Sequence, residues 1–267
     1  MSSSDPLVVG VLGLGEAGSA IAAGLAAAGA VVRGFDPRVP ASAVPGVEQC
    51  TGDADAARGC AVVISLTCAH EAEGALSAAL PGLAPGAVYA DLNTASSGLK
   101  FALAERAGAA GIAFADVALM SPVPGNGLRT PMLASGPAAE QFARIARGLG
   151  ASVDVLAGPP GAAAARKLVR SVFYKGLAAA VTEALRAAAA AGCEDWLRDN
   201  IGQELASASP ATVDRLEQGS VRHAVRRTDE MAAAAELLRE LGVPPRVAEA
   251  SEQWLRQLAA ETGQHLP

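Results

Sequence analysis

The chain has 267 residues, a formal net charge of -6 and 51% hydrophobic residues against 18% charged ones. That length supports one large or two modest domains with buried cores, and the acidic balance leaves no basic field for DNA or RNA. No apolar run reaches the roughly 18 residues needed to span a bilayer. The first residues, Met1 to Pro6, lack a basic stretch followed by an apolar core, so the expected setting is cytoplasmic, with neither nucleic acid nor membrane as partner. Cys50, Cys60, Cys68 and Cys193 form no C-x-x-C pair and do not cluster with His70, His223 or His265, so no metal site is expected.

An apolar strand over 7–12 runs straight into Gly13, Leu14, Gly15, Glu16, Ala17 and Gly18, followed by an alanine-rich helix. This G-x-G-x-x-G spacing suits a dinucleotide. Gly13 permits a tight turn, Gly15 lets a pyrophosphate approach the backbone, Gly18 allows close helix packing, and the helix N-terminus faces the negative charge. The same turn also serves to link any buried strand to a helix, so its context matters. A second strand over 30–35 ends at Asp36, where a carboxylate accepts hydrogen bonds from ribose hydroxyls and repels a 2′-phosphate, favouring NAD. Arg38, two residues on, is able to pair with a 2′-phosphate, which keeps NADP open.

Further strands are expected over 61–66, 87–92, 112–116 and 131–134, with helical stretches between them, the rhythm of an α/β doubly wound parallel sheet. Ligands bind such sheets beyond the carboxyl ends of the strands, so the loops 67–70, 93–97 and 119–127 are expected to line one cleft. Residues 162–191 contain no proline and only Gly176, and read as a single helix roughly 45 Å long at about 1.5 Å per residue. It divides the chain into a nucleotide-binding domain over 1–160 and an all-helical domain over 161–267, with helices expected over 196–206, 211–218, 222–241 and 245–261. Lys167, Arg170 and Lys175 read by themselves as a solvated basic face. Partial burial of Lys167 would instead lower its pKa and fit it for proton exchange.

Taken in order, GLGEAG (13–18), FDP (35–37), DLNTAS (91–96) and GAAAARKLVRS (161–171) resemble the β-hydroxyacid dehydrogenase family, which includes 3-hydroxyisobutyrate and 6-phosphogluconate dehydrogenases. The resemblance covers most of the chain. It implies a Rossmann domain joined by a long interdomain helix to an all-α C-terminal domain. It also implies an enzyme that uses NAD or NADP to move hydride between nicotinamide and a small β-hydroxy acid or a related alcohol or carbonyl. The family's general acid/base lysine matches Lys167, with Asn93 and Ser171 as accompanying catalytic groups. The same matching puts Leu66, Thr67 and Thr94 on the cofactor and Ser96 near the substrate, although short polar residues at strand ends are also ordinary helix caps.

Three departures from the family pattern stand out. Met120, Ser121 and Pro122 replace the Ser-Gly-Gly segment that binds a substrate carboxylate. Ser171 replaces an asparagine four residues after the lysine, and the segments 171–185 and 226–243 look like a shorter, little-characterised branch. Apolar faces over 178–191 and 231–241 would need covering, which points to a homodimer, and Arg222, Arg226, Arg227 and Glu230 are placed either to reach a substrate anion or to form surface i, i+4 ion pairs, the second being the ordinary role. An imine or ketone reductase of the same two-domain plan, whose members usually replace the lysine, and a non-catalytic NAD-binding protein are the alternative functions.

Overall fold

Short Val- and Ala-rich runs form the strands, and alternation along them sends successive side chains to opposite faces of one sheet. In a computed structural model that describes residues 6–263, the chain divides into two compact units, Met1–Arg170 and Ser171–Pro267. The first contains β1 (Val8–Leu12), α1 (Glu16–Ala27), β2 (Val31–Phe35), β3 (Val47–Gln49), α2 (Asp53–Ala57), β4 (Val62–Ser65), α3 (Ala72–Ala79), β5 (Val88–Asp91), α4 (Ser97–Ala109), β6 (Ala113–Leu119), β7 (Met132–Ser135), α5 (Ala139–Gly148), β8 (Val153–Val155) and the opening turns of α6 (Ala162–Ala190). The sheet order is β3-β2-β1-β4-β5-β6-β7-β8. Residues 1–5 and 264–267, including His265 and most of the stretch read for a leader, lie outside the described residues.

The core lies on both faces of the sheet. Val9, Val11, Ile64, Val88 and Ala90 pack with Ile21 and Leu25 of α1 and Phe142 of α5 on one side. The intervening Leu12, Val63 and Tyr89 pack with Ala56 of α2, Leu76 of α3 and Leu103 of α4 on the other. Tyr89 and Phe114 stack there with ring centroids 6.3 Å apart.

The sheet is mostly parallel, as expected of a doubly wound fold, with one reversal near its end. β7 pairs antiparallel with β6, and β8 runs parallel to β7, so the last two strands oppose the first six. The reason lies in the connection, because a parallel return needs a crossover that is usually an α-helix, and between β6 and β7 the chain forms only a one-turn 3-10 helix at Gly127–Arg129. Strands β3 and β8 and helix α2, three to five residues each, were not anticipated, being too short to display a period.

The second unit holds the remainder of α6 with α7 (Glu194–Ala206), α8 (Pro210–Arg222), α9 (Ala224–Glu240) and α10 (Arg246–Glu261). Helices α9 and α10 pack as a pair, and Ala235, Leu238, Ala248, Leu255 and Ala259 are buried on them. The helix expected to begin at 222 starts later, because α8 continues through Arg222 and the chain breaks at His223 (φ -115°, ψ 26°). A Ser209/Thr212 capping box and Pro210 start α8. Glu183 of α6 caps α10 from a distance, its two carboxylate oxygens accepting the amides of Val247 at 2.8 Å and Ala248 at 2.9 Å. Arg226 and Glu230 form a surface ion pair, as expected, while Arg227 donates to Ser220. No helix among the described residues is long and apolar enough to cross a membrane.

Two substitutions test this framework. A Cβ on Gly18 would lie 2.0 Å from the Gly13 carbonyl oxygen, so Gly18→Ala should lower stability by about 1–3 kcal/mol. Thermal denaturation by circular dichroism gives the answer, and an unchanged melting temperature would contradict the packing described. Glu183→Ala should cost about 1 kcal/mol through loss of the α10 cap, with Glu183→Gln recovering part of it.

Candidate functional site

The turn after β1 is built by close approaches that only glycine tolerates. Gly13 has φ +88°, and a Cβ there would stand 2.4 Å from the Leu66 carbonyl oxygen. Gly15, the N-cap of α1, contributes no side chain to the first turn, and a Cβ on it would meet nothing within 4 Å. The twelve-residue α1 therefore opens onto free space at its positive end, which fits a pyrophosphate.

Asp36, after β2, ties this turn together. Its Oδ2 accepts the Leu14 amide at 2.8 Å, and its Oδ1 accepts the amides of Arg38 at 2.7 Å and Val39 at 3.0 Å. Burial opposes ionisation of this carboxyl, but the three amides outweigh it and hold the pKa below the ordinary carboxylate range. A cleft of about 370 Å³ is lined by Gly13, Gly15, Asp36, Arg38, Leu66 and Thr67, together with Asp53, Cys68, His70 and Glu71. Burial raises the pKa of Asp53, its own backbone amide opposes the rise, and the nearby Asp36 charge adds to it. Of the other predicted cofactor residues, Leu14 is buried in the core and contributes its amide, Ala17 is half-buried, Gly18 is buried under the turn, and Glu16 is exposed at the first turn of α1. These surroundings suit a dinucleotide: an open helix N-terminus, a glycine surface and an ionised acid at the end of β2.

A second constellation lies further along the carboxyl edge of the sheet. Strand register aligns Ser65, Asp91, Asp116 and Ser135 on β4, β5, β6 and β7 as successive neighbours, and all four are fully buried. Two carboxylates side by side would repel each other. Lys100 of α4, also fully buried, supplies the counter-charge: its Nζ lies 2.7 Å from Asp91 Oδ2, 3.2 Å from Asp116 Oδ1 and 2.7 Å from the Asp91 carbonyl. Burial pushes the Asp91 pKa up, and Lys100 and Asn93 pull it back only in part. Asp116 Oδ2 accepts from the Ser135 hydroxyl at 3.0 Å and from the amides of Gly161 at 3.0 Å and Ala164 at 3.1 Å, while Ser135 Oγ accepts the Ala163 amide at 3.0 Å. The orphan amides that begin α6 are thus satisfied from the sheet.

The structure brings some predicted residues together and leaves others apart. Buried Asn93 donates to Asp91, to Ser65 Oγ at 3.2 Å and to Thr67 Oγ1 at 3.3 Å, which joins the loops after β4 and β5. Its Oδ1 is buried without a protein partner among the described residues, as is Ser121 Oγ. Thr94 is exposed. Ser96 caps α4 by accepting the Leu99 amide at 3.2 Å, the ordinary structural role. Of the three loops expected to line one cleft, only 67–70 lines the cleft above; 93–97 reaches it through the Asn93–Thr67 hydrogen bond, and 119–127 does not line it. Met120 and Ser121 are half-buried and Pro122 is exposed, while Leu128 further along packs against Gly24 of α1. Lys167 is half-buried two turns into α6, and Ser171 follows one turn later. Sequence reading missed Lys100, Asp116 and Ser135. The available signal was a lysine on the i, i+3, i+7 stripe Lys100, Leu103, Ala107 that α4 buries.

Residues 8–151 match the family described as the NAD binding domain of 6-phosphogluconate dehydrogenase, and residues 188–258 match a domain of unknown function, DUF1932. No curated protein matches the chain. Among solved structures, a conserved hypothetical protein from Sinorhizobium meliloti 1021 is 28% identical with a TM-score of 0.61, over 97% of this chain and 90% of that one. The conserved protein MTH1747, described as structurally similar to 3-hydroxyacid dehydrogenases, is 27% identical with a TM-score of 0.60, over 96% and 99%. An imine reductase from Myxococcus stipitatus in complex with NADP+ is 19% identical with a TM-score of 0.77, over 97% and 96%, a likeness of fold. With more than half its length inside the first match, the chain belongs to the family of the 6-phosphogluconate dehydrogenase NAD binding domain.

Proposed function

We propose that this protein is an NAD(P)-dependent oxidoreductase acting on a small β-hydroxy acid or a related alcohol or carbonyl, with Lys167 as general acid/base. The observation that carries the reading is the cleft built by Gly13, Gly15 and ionised Asp36, on a chain whose α6 presents a half-buried lysine near its start. Bound there, the nicotinamide cofactor would accept or deliver hydride. Asp36 holds the ribose end, and the first turn of α1 holds the pyrophosphate. Lys167 takes the proton from a substrate hydroxyl, or returns it to the carbonyl in the reverse direction. Asn93 Oδ1, buried and without a protein partner, offers an acceptor to the reacting molecule, and Ser171, one turn beyond Lys167, supports the lysine. Met120, Ser121 and Pro122 form the substrate-facing segment in this reading, with Ser121 Oγ as its polar contact.

The tight hold on Asp36 favours NAD, with exposed Arg38 leaving NADP a weaker partner. Reduction of an imine is the second reading, supported by likeness of fold to an imine reductase at a TM-score of 0.77 and opposed by the retained Lys167. We also propose a cytoplasmic homodimer. Helices α7 and α8 bury no residue, and Phe173, Trp196, Val213 and Leu216 are exposed on the helical unit, an apolar area a second copy would cover.

Fluorescence titration should find NADH bound more tightly than NADPH, with Asp36→Asn narrowing the gap and Arg38→Ala weakening NADPH alone. An acid whose pKa is lowered keeps its charge above the ordinary value of about 3.9 and loses it only at lower pH, so the affinity for NADH, which carries no 2′-phosphate, should not fall through titration of Asp36 from pH 8 to pH 5. Lys167→Ala should leave NADH affinity within about twofold and reduce kcat by at least about 100-fold in a screen of hydroxy acids, ketones and imines. Wild-type turnover that survives the substitution would remove Lys167 from the mechanism. Cofactor binding without turnover on any of these classes would mark a non-catalytic NAD-binding protein.

A further inference from the structure

Lys100 is far from the surface, touches no part of the cofactor cleft and plays no part in the chemistry described above. Its position nonetheless joins two groups that the chemistry uses. Through Asp91 it reaches Asn93, whose amide donates to the same carboxylate, and through Asp116 it reaches the amides of Gly161 and Ala164. Lys167 follows Ala163 and Ala164 by four and three residues, so all three share one face of α6. We propose that Lys100 is a positioning residue for the reaction, fixing Asn93 and the start of α6 in a single arrangement through one buried ammonium between two carboxylates.

The ammonium donates to the Asp91 carbonyl at 2.7 Å and forms ion pairs with Asp91 Oδ2 at 2.7 Å and Asp116 Oδ1 at 3.2 Å, so the link between the two carboxylates is electrostatic. A rotation of α6 about its first turn would break the Asp116 contacts, and a shift of Asp116 would expose it to repulsion from Asp91. A displacement of about 1 Å at a reacting group is enough to cost on the order of 100-fold in rate. The arrangement is therefore discrete, and a catalytic lysine on α6 inherits its placement from Lys100.

This inference rests on the Lys167 reading, so the test needs a readout independent of turnover. Lys100→Met alone leaves two adjacent buried carboxylates and risks misfolding; the double variant Lys100→Met/Asp91→Asn removes one charge of each sign and preserves the net charge. Two measurements apply to the double variant. Hydrogen exchange should accelerate about tenfold or more at Gly161, Ala163 and Ala164, with α1 amides unchanged, and kcat should fall about tenfold or more while the NADH dissociation constant stays within about twofold. Acceleration spread evenly over the domain, or none at the start of α6, overturns the inference whether or not the enzyme turns over. Local acceleration with an unchanged kcat overturns it as well. Local acceleration in a protein whose wild type shows no turnover supports the coupling between Lys100 and α6 and removes the dehydrogenase reading alone.

Discussion

Two carboxylates placed as direct neighbours inside a sheet are the constraint around which this nucleotide-binding unit is organised. Asp91 and Asp116 are in register on β5 and β6 with no exposure to water, and such a pair persists only with a cation and enough donors to replace the lost hydration. Lys100 is the cation, and the amides and hydroxyl around Asp116 are the donors. One ammonium against two carboxylates leaves a net negative charge, which the N-terminus of α6 partly offsets through its macrodipole. Helix α6 is thereby anchored at one end by electrostatics as well as by packing.

The cofactor end of the sheet works by different means. The shape of the glycine turn comes from missing side chains, and Asp36 is held beside it by backbone amides. Backbone geometry thus shapes the glycine turn, whereas buried side-chain charges at β5 and β6 fix the start of α6. The two regions meet at Asn93 and Thr67, where the loops after β4 and β5 share a hydrogen bond.

Much of this was legible in the chain. The G-x-G-x-x-G turn, the acid ending β2 and the long α6 each follow from local signals: residue type at fixed spacing, or the absence of helix breakers. Strands β3 and β8 were hidden because three residues carry no period, and the reversal of β7 because strand direction depends on what the connection contains. Lys100 was hidden for another reason. A lysine on a helix is ordinarily solvated, and only the pairing of Asp91 with Asp116 across strands 25 residues apart makes its burial tolerable. In the helical unit, Glu183 as the cap of α10 was equally invisible, since the two lie more than 60 residues apart in sequence. Conversely, Ser96, expected near the substrate, has the plain local role of a helix cap.

The reversal of β7 has a reach beyond the edge of the sheet. Antiparallel pairing sets Ser135 opposite Asp116, and that one pair holds three amides at the start of α6. A slip of one residue in this pairing would turn Ser135 to the other face and unlatch the helix. The segment joining β6 to β7 is therefore free to change its composition, and with it whatever it contacts, only among versions that return the chain in the same phase. An insertion there would be felt first at a helix some thirty residues downstream, which makes that loop a tuning point with a fixed mechanical output.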